Sequence, residues 1–287
     1  MFNLSGKIDP AFVSALSEIK KTADSMNIAF FVVGASARDI ILEHGHKIKS
    51  PRMTRDIDLG VEVADWDQFK RLTDSLLATG NFSATRDMQR LLFRDVVKID
   101  IVPFGSIVDE HKKISWPPEH EIFMSMLGFK EAFEYSTTVR LSDNPELDIK
   151  LPTLPGLVIM KIISWEEKYP DRQKDAEDIL FIMNKYADAG NEERLYSDGQ
   201  SMLEEEGFDI RLAGIRLLGH DIANMSDPET IKAVISILDK ETNELSRYRL
   251  ITDMIRGSHM FEGKFDEALR QLKKLKEGIA EAAKGEL

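Results

Sequence analysis

Residues 56 to 63 read Asp-Ile-Asp-Leu-Gly-Val-Glu-Val, with apolar side chains at every second position. Successive side chains of a strand point to opposite faces. This spacing therefore predicts a half-buried strand over Asp56–Val63, with Ile57, Leu59 and Val61 turned to a core and Asp56 and Asp58 sharing the other face. Two carboxylates that close repel each other unless a cation or a proton intervenes. The segment is either a solvated sheet edge or a site for a hard cation, and on its own it does not decide between them.

The surrounding chain supplies more strands and the helices to cover them. Asp9-Pro10 has the form of an N-cap followed by N1 proline and opens an amphipathic helix to about Met26. Ala29–Val33 is a short apolar run ending at Gly34, the pattern of a buried strand, and Ala35–Glu43 has helical spacing. Asp65 caps a helix through Leu77, a turn falls at Gly80-Asn81, and Val96–Phe104 is a further strand closed by Pro103 and Gly105. Weaker strand patterns cover Ile122–Met126, Thr138–Leu141 and Leu147–Leu151. Beyond Pro155 only helical spacing remains, over 156–168, 171–188, 208–223, 228–240 and 264–283. Pro152 and Pro155 mark the change, so the chain is read as two domains, 1–152 mixed and 153–287 helical. The fold class is α+β. The last helix either closes the bundle or binds a partner. Gly257-Ser258-His259-Met260 matches a cloning scar but lies between helical segments and is read as native.

Composition narrows the chemistry. With no cysteine among 287 residues, disulfides, thiolate metal sites and cysteine nucleophiles are excluded, and a reducing cytoplasm fits. No run approaches the ~18 apolar residues that cross a membrane, and Met1–Ser14 lacks the pattern of a signal peptide. A net charge of −12 makes a poor general binder of polyanions. One local exception is the stretch from His44 to Arg55, with Lys47, Lys49, Arg52 and Arg55 and no acid. It is either a solvated loop or the place where an anionic acceptor is received.

Asp100 lies in Val96-Val97-Lys98-Ile99-Asp100-Ile101-Val102. A lone carboxylate in such a strand costs several kcal/mol unless it is paired or bound to metal. It is either a third ligand beside Asp56 and Asp58 or the partner of Lys98 or Arg94. Gly34-Ala35-Ser36, at a strand-to-helix junction, offers backbone N–H groups to a phosphate, with the Ser36 hydroxyl as a further donor.

The order of these elements resembles the polymerase-β-like nucleotidyltransferase superfamily, whose hallmark is a Gly-Gly/Ser turn, an Asp-x-Asp strand and a later acidic strand residue. The matching residues are Val33-Gly34-Ala35-Ser36, Asp56-Ile57-Asp58-Leu59 and Ile99-Asp100-Ile101. Ala35 replaces the usual second glycine or small polar residue, and the gap from Gly34 to Asp56 is longer than in minimal members. Within the superfamily, Thr54-Arg55-Asp56-Ile57-Asp58-Leu59 most resembles the AbiEii-type nucleotidyltransferase toxins of type IV toxin–antitoxin systems. Lys161 and Lys174-Asp175-Ala176-Glu177-Asp178 look like elements of that family's helical half, and the likeness spans roughly residues 28–185.

The resemblance implies a nucleotidyltransferase fold, a mixed twisted sheet with flanking helices, followed by a helical domain that contributes to the cleft for NTP and acceptor. It implies two Mg²⁺ ions held by Asp56, Asp58 and Asp100, with Asp100 helping to activate the acceptor hydroxyl. Gly34 and Ser36 would hold the β/γ-phosphates, Lys161 would neutralise the triphosphate, and Asp175 and Asp178 would orient Lys161 or Arg172. Ordinary readings stand beside these: Lys161 as a snorkelling helix-end lysine, and the two aspartates as first-turn acids. The implied reaction is attack of a hydroxyl on the α-phosphate of an NTP, releasing pyrophosphate. The implied partners are an NTP, an acceptor that is a tRNA 3′ end or a small molecule, and a cognate antitoxin, with no membrane. Arg38-Asp39 ahead of Asp-x-Asp also resembles CCA-adding enzymes and poly(A) polymerases. A transferase acting on aminoglycosides and a catalytically inactive module of the same fold are the remaining alternatives.

Overall fold

The computed structural model describes residues 2–256 and 263–285; Gly257–Met260 lie outside them. The chain forms two compact units, Met1–Thr153 and Leu154–Leu287.

The first unit is α+β. Its strands are β1 (Phe2–Asn3), β2 (Phe30–Val33), β3 (Ile57–Glu62), β4 (Phe82–Ala84), β5 (Arg90–Phe93), β6 (Val97–Phe104), β7 (Lys113–Trp116), β8 (Ile122–Ser125), β9 (Thr137–Asp143) and β10 (Glu146–Leu151). Its helices are α1 (Pro10–Ser25), α2 (Gly34–Asp39), α3 (Trp66–Ala78) and α4 (Phe129–Glu134), and a π-helical turn, Ile40–Gly45, continues α2. The main sheet has the order β2-β3-β6-β5-β4. Within it β3 and β6 run parallel and the other pairs antiparallel, which makes the sheet mixed. Phe2 and Asn3 join the β9–β10 hairpin, and β7–β8 form a separate hairpin.

Alternation along β3 and β6 produces what it predicts. Ile57, Leu59, Val61, Ile99 and Ile101 are almost completely buried, and the residues between Ile57 and Leu59 and between Ile99 and Ile101 face outward. Asp56 stands one residue before β3, so the strand begins one position later than the pattern suggests. The caps act as read: Asp9 accepts from the Ala11 amide ahead of Pro10, and Asp65 accepts from the Gln68 amide. Burial of the apolar faces of β3 and β6 stabilises the unit by roughly 1.5–3 kcal/mol for each fully buried Ile, Leu or Val side chain.

The second unit is helical: α5 (Leu154–Glu167), α6 (Gln173–Lys185), α7 (Glu192–Leu195), α8 (Gln200–Glu205), α9 (Ile210–Met225), α10 (Pro228–Thr242), α11 (Arg249–Ile255) and α12 (Lys264–Gly285). Helix α5 is buried on nearly every side from Leu154 to Ile163, which makes it the central helix of the unit. Helix α12 closes the bundle, burying Ala268, Leu272, Leu275 and Ile279. It packs so tightly on α9 that a Cβ at Gly278 would lie 2.1 Å from the Arg216 carbonyl oxygen, and one at Gly219 would lie 2.4 Å from that of Leu275. No helix among the described residues is long and apolar enough to cross a membrane.

Candidate active site

The sheet brings together residues that are far apart in the chain. Val33 of β2 pairs with Asp58 of β3, Asp58 pairs with Asp100 of β6, and Asp100 pairs with Arg90 of β5. Asp58 and Asp100 are thus direct neighbours on adjacent parallel strands, and both are half-buried. Asp56 is exposed at the entrance to β3.

The chain turns into α2 immediately after Val33. Gly34 has φ +68°, a left-handed conformation that costs a residue with a Cβ roughly 1–2 kcal/mol. A Cβ at Gly34 would also lie 2.3 Å from Asp58 Oδ2, inside any permitted contact. Glycine is required here twice, by the backbone and by the carboxylate resting against it. Val33, the residue before α2, provides no side-chain cap for that helix. Ser36 is buried, and its hydroxyl donates to the Val33 carbonyl at 3.1 Å. That bond ties the turn to the end of β2.

Asp100 has a partner that differs from both expected ones. Arg90 Nε and Nη2 donate to Asp100 Oδ1 and Oδ2 at 2.7 and 2.8 Å, a bidentate fork. Neither Lys98 nor Arg94 fills that role. Lys98 is exposed two positions back along β6, and the Arg94 guanidinium stacks 4.9 Å over the Phe93 ring. The Arg90 guanidinium is held still further above its ordinary pKa, first by its bonds to Asp100 and the charge there, then by Asp87 and Asp56. Its field therefore reaches both the acidic face and its rim. Arg90 carries no pattern signal of its own. It becomes legible only once the tight turn at Arg94-Asp95, both with positive φ, is taken as the hairpin centre that sets position 90 opposite 100.

In kind, the donor set suits a hard cation, being made of carboxylate oxygens from neighbouring strands. Among the described residues, however, no three carboxylate or imidazole side chains converge on one point as metal ligands. The positive charge beside Asp100 is supplied by Arg90 instead. Asp58 and Asp100 could hold a metal ion together with Asp56 once that fork opens.

The other expected residues occupy two separate places. Arg38 is fully buried, with Nε and Nη2 donating to Asp39 Oδ1 at 2.9 and 2.5 Å and Nη2 also donating to the Arg52 carbonyl at 2.9 Å. Asp39 Oδ2 in turn accepts from the Thr54 amide at 3.3 Å. Arg38 and Asp39 thus anchor the end of the basic loop where it enters β3. Lys47, Lys49 and Arg55 are exposed on that loop, and Arg52 is half-buried.

Lys161 lies in the interior of the helical unit, where its ammonium donates to Asp175 Oδ1 at 2.9 Å and Asp178 Oδ2 at 2.7 Å. Burial alone lowers the pKa of this lysine, but the two neighbouring carboxylates outweigh it and hold the group above its ordinary value. Its charge is compensated inside the unit. Arg172 and Lys174 are on the surface at the start of α6.

No protein-family model matches the chain, and no curated protein sequence matches it. Among solved structures, the chain is similar to the antibiotic-resistance factor ANT(2'')-Ia at 10% identity and a TM-score of 0.36, covering 70% of this chain and 98% of that one. It is also similar to a CCA-adding enzyme in complex with ATP, at 15% identity and a TM-score of 0.33, over 97% of this chain and 71% of that one. A third is the Thermotoga maritima CCA-adding enzyme complexed with tRNA, at 14% identity and a TM-score of 0.26, over 97% of this chain and 83% of that one.

Proposed function

We propose that this chain is a nucleotidyltransferase that moves an NMP from an NTP to a hydroxyl acceptor and releases pyrophosphate. The observation that carries this reading is the in-register pair Asp58–Asp100 on adjacent parallel strands, with the Asp58 carboxylate against the left-handed Gly34 turn. Two acids side by side at a glycine turn call for positive charge, which Arg90 supplies at Asp100, and such a face suits the holding of cations against a triphosphate.

Asp56 and Asp58 would hold two Mg²⁺ ions and Asp100 one of them. When bound, these ions supply the charge stabilisation for the attacking and leaving oxygens. Everything else falls to the chain. Asp100 accepts the proton of the acceptor hydroxyl on a carboxylate oxygen as that hydroxyl attacks. Backbone amides of the Gly34-Ala35-Ser36 turn receive the β/γ-phosphates, and the Ser36 bond to Val33 keeps the turn in place. Arg38 and Asp39 fix the loop that delivers Asp56 and Asp58 to the sheet. Lys161 is assigned to joining α5 to α6 through Asp175 and Asp178.

A tRNA 3′ end is the acceptor favoured by the exposed Lys47, Lys49 and Arg55, in keeping with the AbiEii-like pattern at Thr54–Leu59. A cognate antitoxin would then be the regulatory partner, and the cytoplasm the compartment. A cationic small molecule of the aminoglycoside type is the second reading, favoured by the net charge of −12, which steers cations inward. A catalytically inactive module is disfavoured by the presence of all three aspartates.

The test is a transfer assay with α-³²P-labelled NTPs and Mg²⁺, offering total tRNA and a panel of aminoglycosides. Label on tRNA supports the first acceptor and label on an aminoglycoside the second. Mg²⁺-dependent NTP binding with no transfer to either would point to another hydroxyl acceptor. Absence of both binding and transfer would leave the inactive module.

A further inference from the structure

We propose that Arg90 is the resident counter-cation of the acidic face and competes with divalent metal for Asp100, so that metal enters as the arginine fork lets go. This rests on the metal-dependent reading above and adds to it a residue and a competition that neither the motif nor the resemblance contains.

Four observations carry it. The register of the sheet sets Asp100 between Asp58 on one side and Arg90 on the other, so the two rivals for its carboxylate approach from opposite strands. The fork engages both oxygens of Asp100, at 2.7 and 2.8 Å, so a metal ion reaching that carboxylate meets the guanidinium and its charge. The pair is also accessible: the Arg90 side chain is 35% exposed and that of Asp100 is 24% exposed, so the guanidinium can withdraw into water without opening the core. A second seat is within reach, since Arg90 Nη1 already lies 3.3 Å from Asp87 Oδ2 on the exposed turn before β5. Water reaches the pair, so a divalent ion, which offers Asp58 and Asp100 twice the charge of one guanidinium, can contend for the carboxylate.

The experiment is a titration of the full chain with Mn²⁺, reading free metal by electron paramagnetic resonance, with no nucleotide and no activity measurement. Arg90→Gln removes the charge and the fork, and we expect it to bind Mn²⁺ roughly tenfold more tightly than the parent chain, a change that Asp58→Asn added to it abolishes. Arg90→Lys keeps the charge and loses the bidentate geometry, and should fall between the two. Melting temperatures without metal show that each variant is folded.

Equal or weaker Mn²⁺ affinity in Arg90→Gln and Arg90→Lys, with the parent chain still binding, would overturn the competition and leave the metal reading standing. A lowered melting temperature without tighter binding is the mark of a purely structural arginine and counts the same way. Failure of every variant and of the parent chain to bind Mn²⁺ would overturn both the competition and the metal-dependent function.

Discussion

Gly34 and Asp58 form a pair in which backbone and side chain constrain each other. Gly34→Ala adds the cost of a left-handed alanine, about 1–2 kcal/mol, and drives its Cβ against Asp58 Oδ2. We expect thermal or urea denaturation to show a loss larger than the backbone part alone. The double variant Gly34→Ala/Asp58→Ala should then lose less than the sum of the two single changes, because the clash is gone; strict additivity would mean the two residues do not constrain each other. The aspartates are legible as a motif because period-two alternation fixes which side chains share a face. Arg90 is not, since its partner is set by hairpin register rather than by any local pattern. Lys98 and Arg94 are the natural sequence neighbours of Asp100, and the turn at Arg94-Asp95 passes the role to a residue ten positions away.

Long periodic segments read well: β3, β6, α3, α9, α10 and α12 are all visible from spacing and caps. Short elements read unevenly: the four-residue strands β2 and β8 are visible as apolar runs, and others are not. Strands β4, β5 and β7 and helices α7, α8 and α11 have three to seven residues each, too few for a period to repeat, and tertiary packing rather than local preference decides them. The helix predicted over Ala35–Glu43 breaks into α2 and a π-helical turn, a change of hydrogen bonding that apolar spacing does not reveal.

Gly278→Ala replaces glycine with the best helix former, which favours the helix by about 1 kcal/mol, yet the new Cβ meets the Arg216 carbonyl. We expect net destabilisation of about 1–3 kcal/mol in urea denaturation, as overpacking outweighs propensity. Stabilisation would show that α12 and α9 are not so closely seated.

Glu281 on the same helix accepts from Arg216 at 2.7 and 2.8 Å and lies 3.1 Å from His220 Nε2. Burial by itself raises the Glu281 pKa, but Arg216 and His220 together hold it below its ordinary 4.5. A carboxyl whose pKa is depressed on folding contributes stability above its unfolded value and loses it as pH falls through the folded one. Melting temperature should therefore fall with pH below about 4.5, and Glu281→Gln should make that fall shallower.

At the scale of the whole chain, a net charge of −12 and an exposed basic loop act in opposition. Any RNA acceptor must be received locally, since an acidic surface elsewhere repels it. Replacing Lys47, Lys49 and Arg55 with alanine should weaken tRNA binding and leave NTP binding unchanged. The slope of log K against log salt should shrink by roughly one for each phosphate that is no longer neutralised. Arg52 is half-buried, so the exposed three make the cleaner test. The change of spacing near Pro152 predicts a break between a mixed and a helical half; the chain's two compact units are Met1–Thr153 and Leu154–Leu287. The acceptor is not visible, because no motif in the chain specifies the group that receives the nucleotide.

If the Asp58–Asp100 face performs nucleotidyl transfer, pyrophosphate release from NTP and Mg²⁺ with the acceptor pool present depends on Asp58. Asp58→Ala removes a half-buried carboxylate without adding an atom, so the variant should keep the fold and its melting temperature. It should lose release by at least roughly 10²-fold, the scale of deleting one preorganised charge-stabilising group. Undiminished release from a folded Asp58→Ala chain would mean that this face does not carry the reaction.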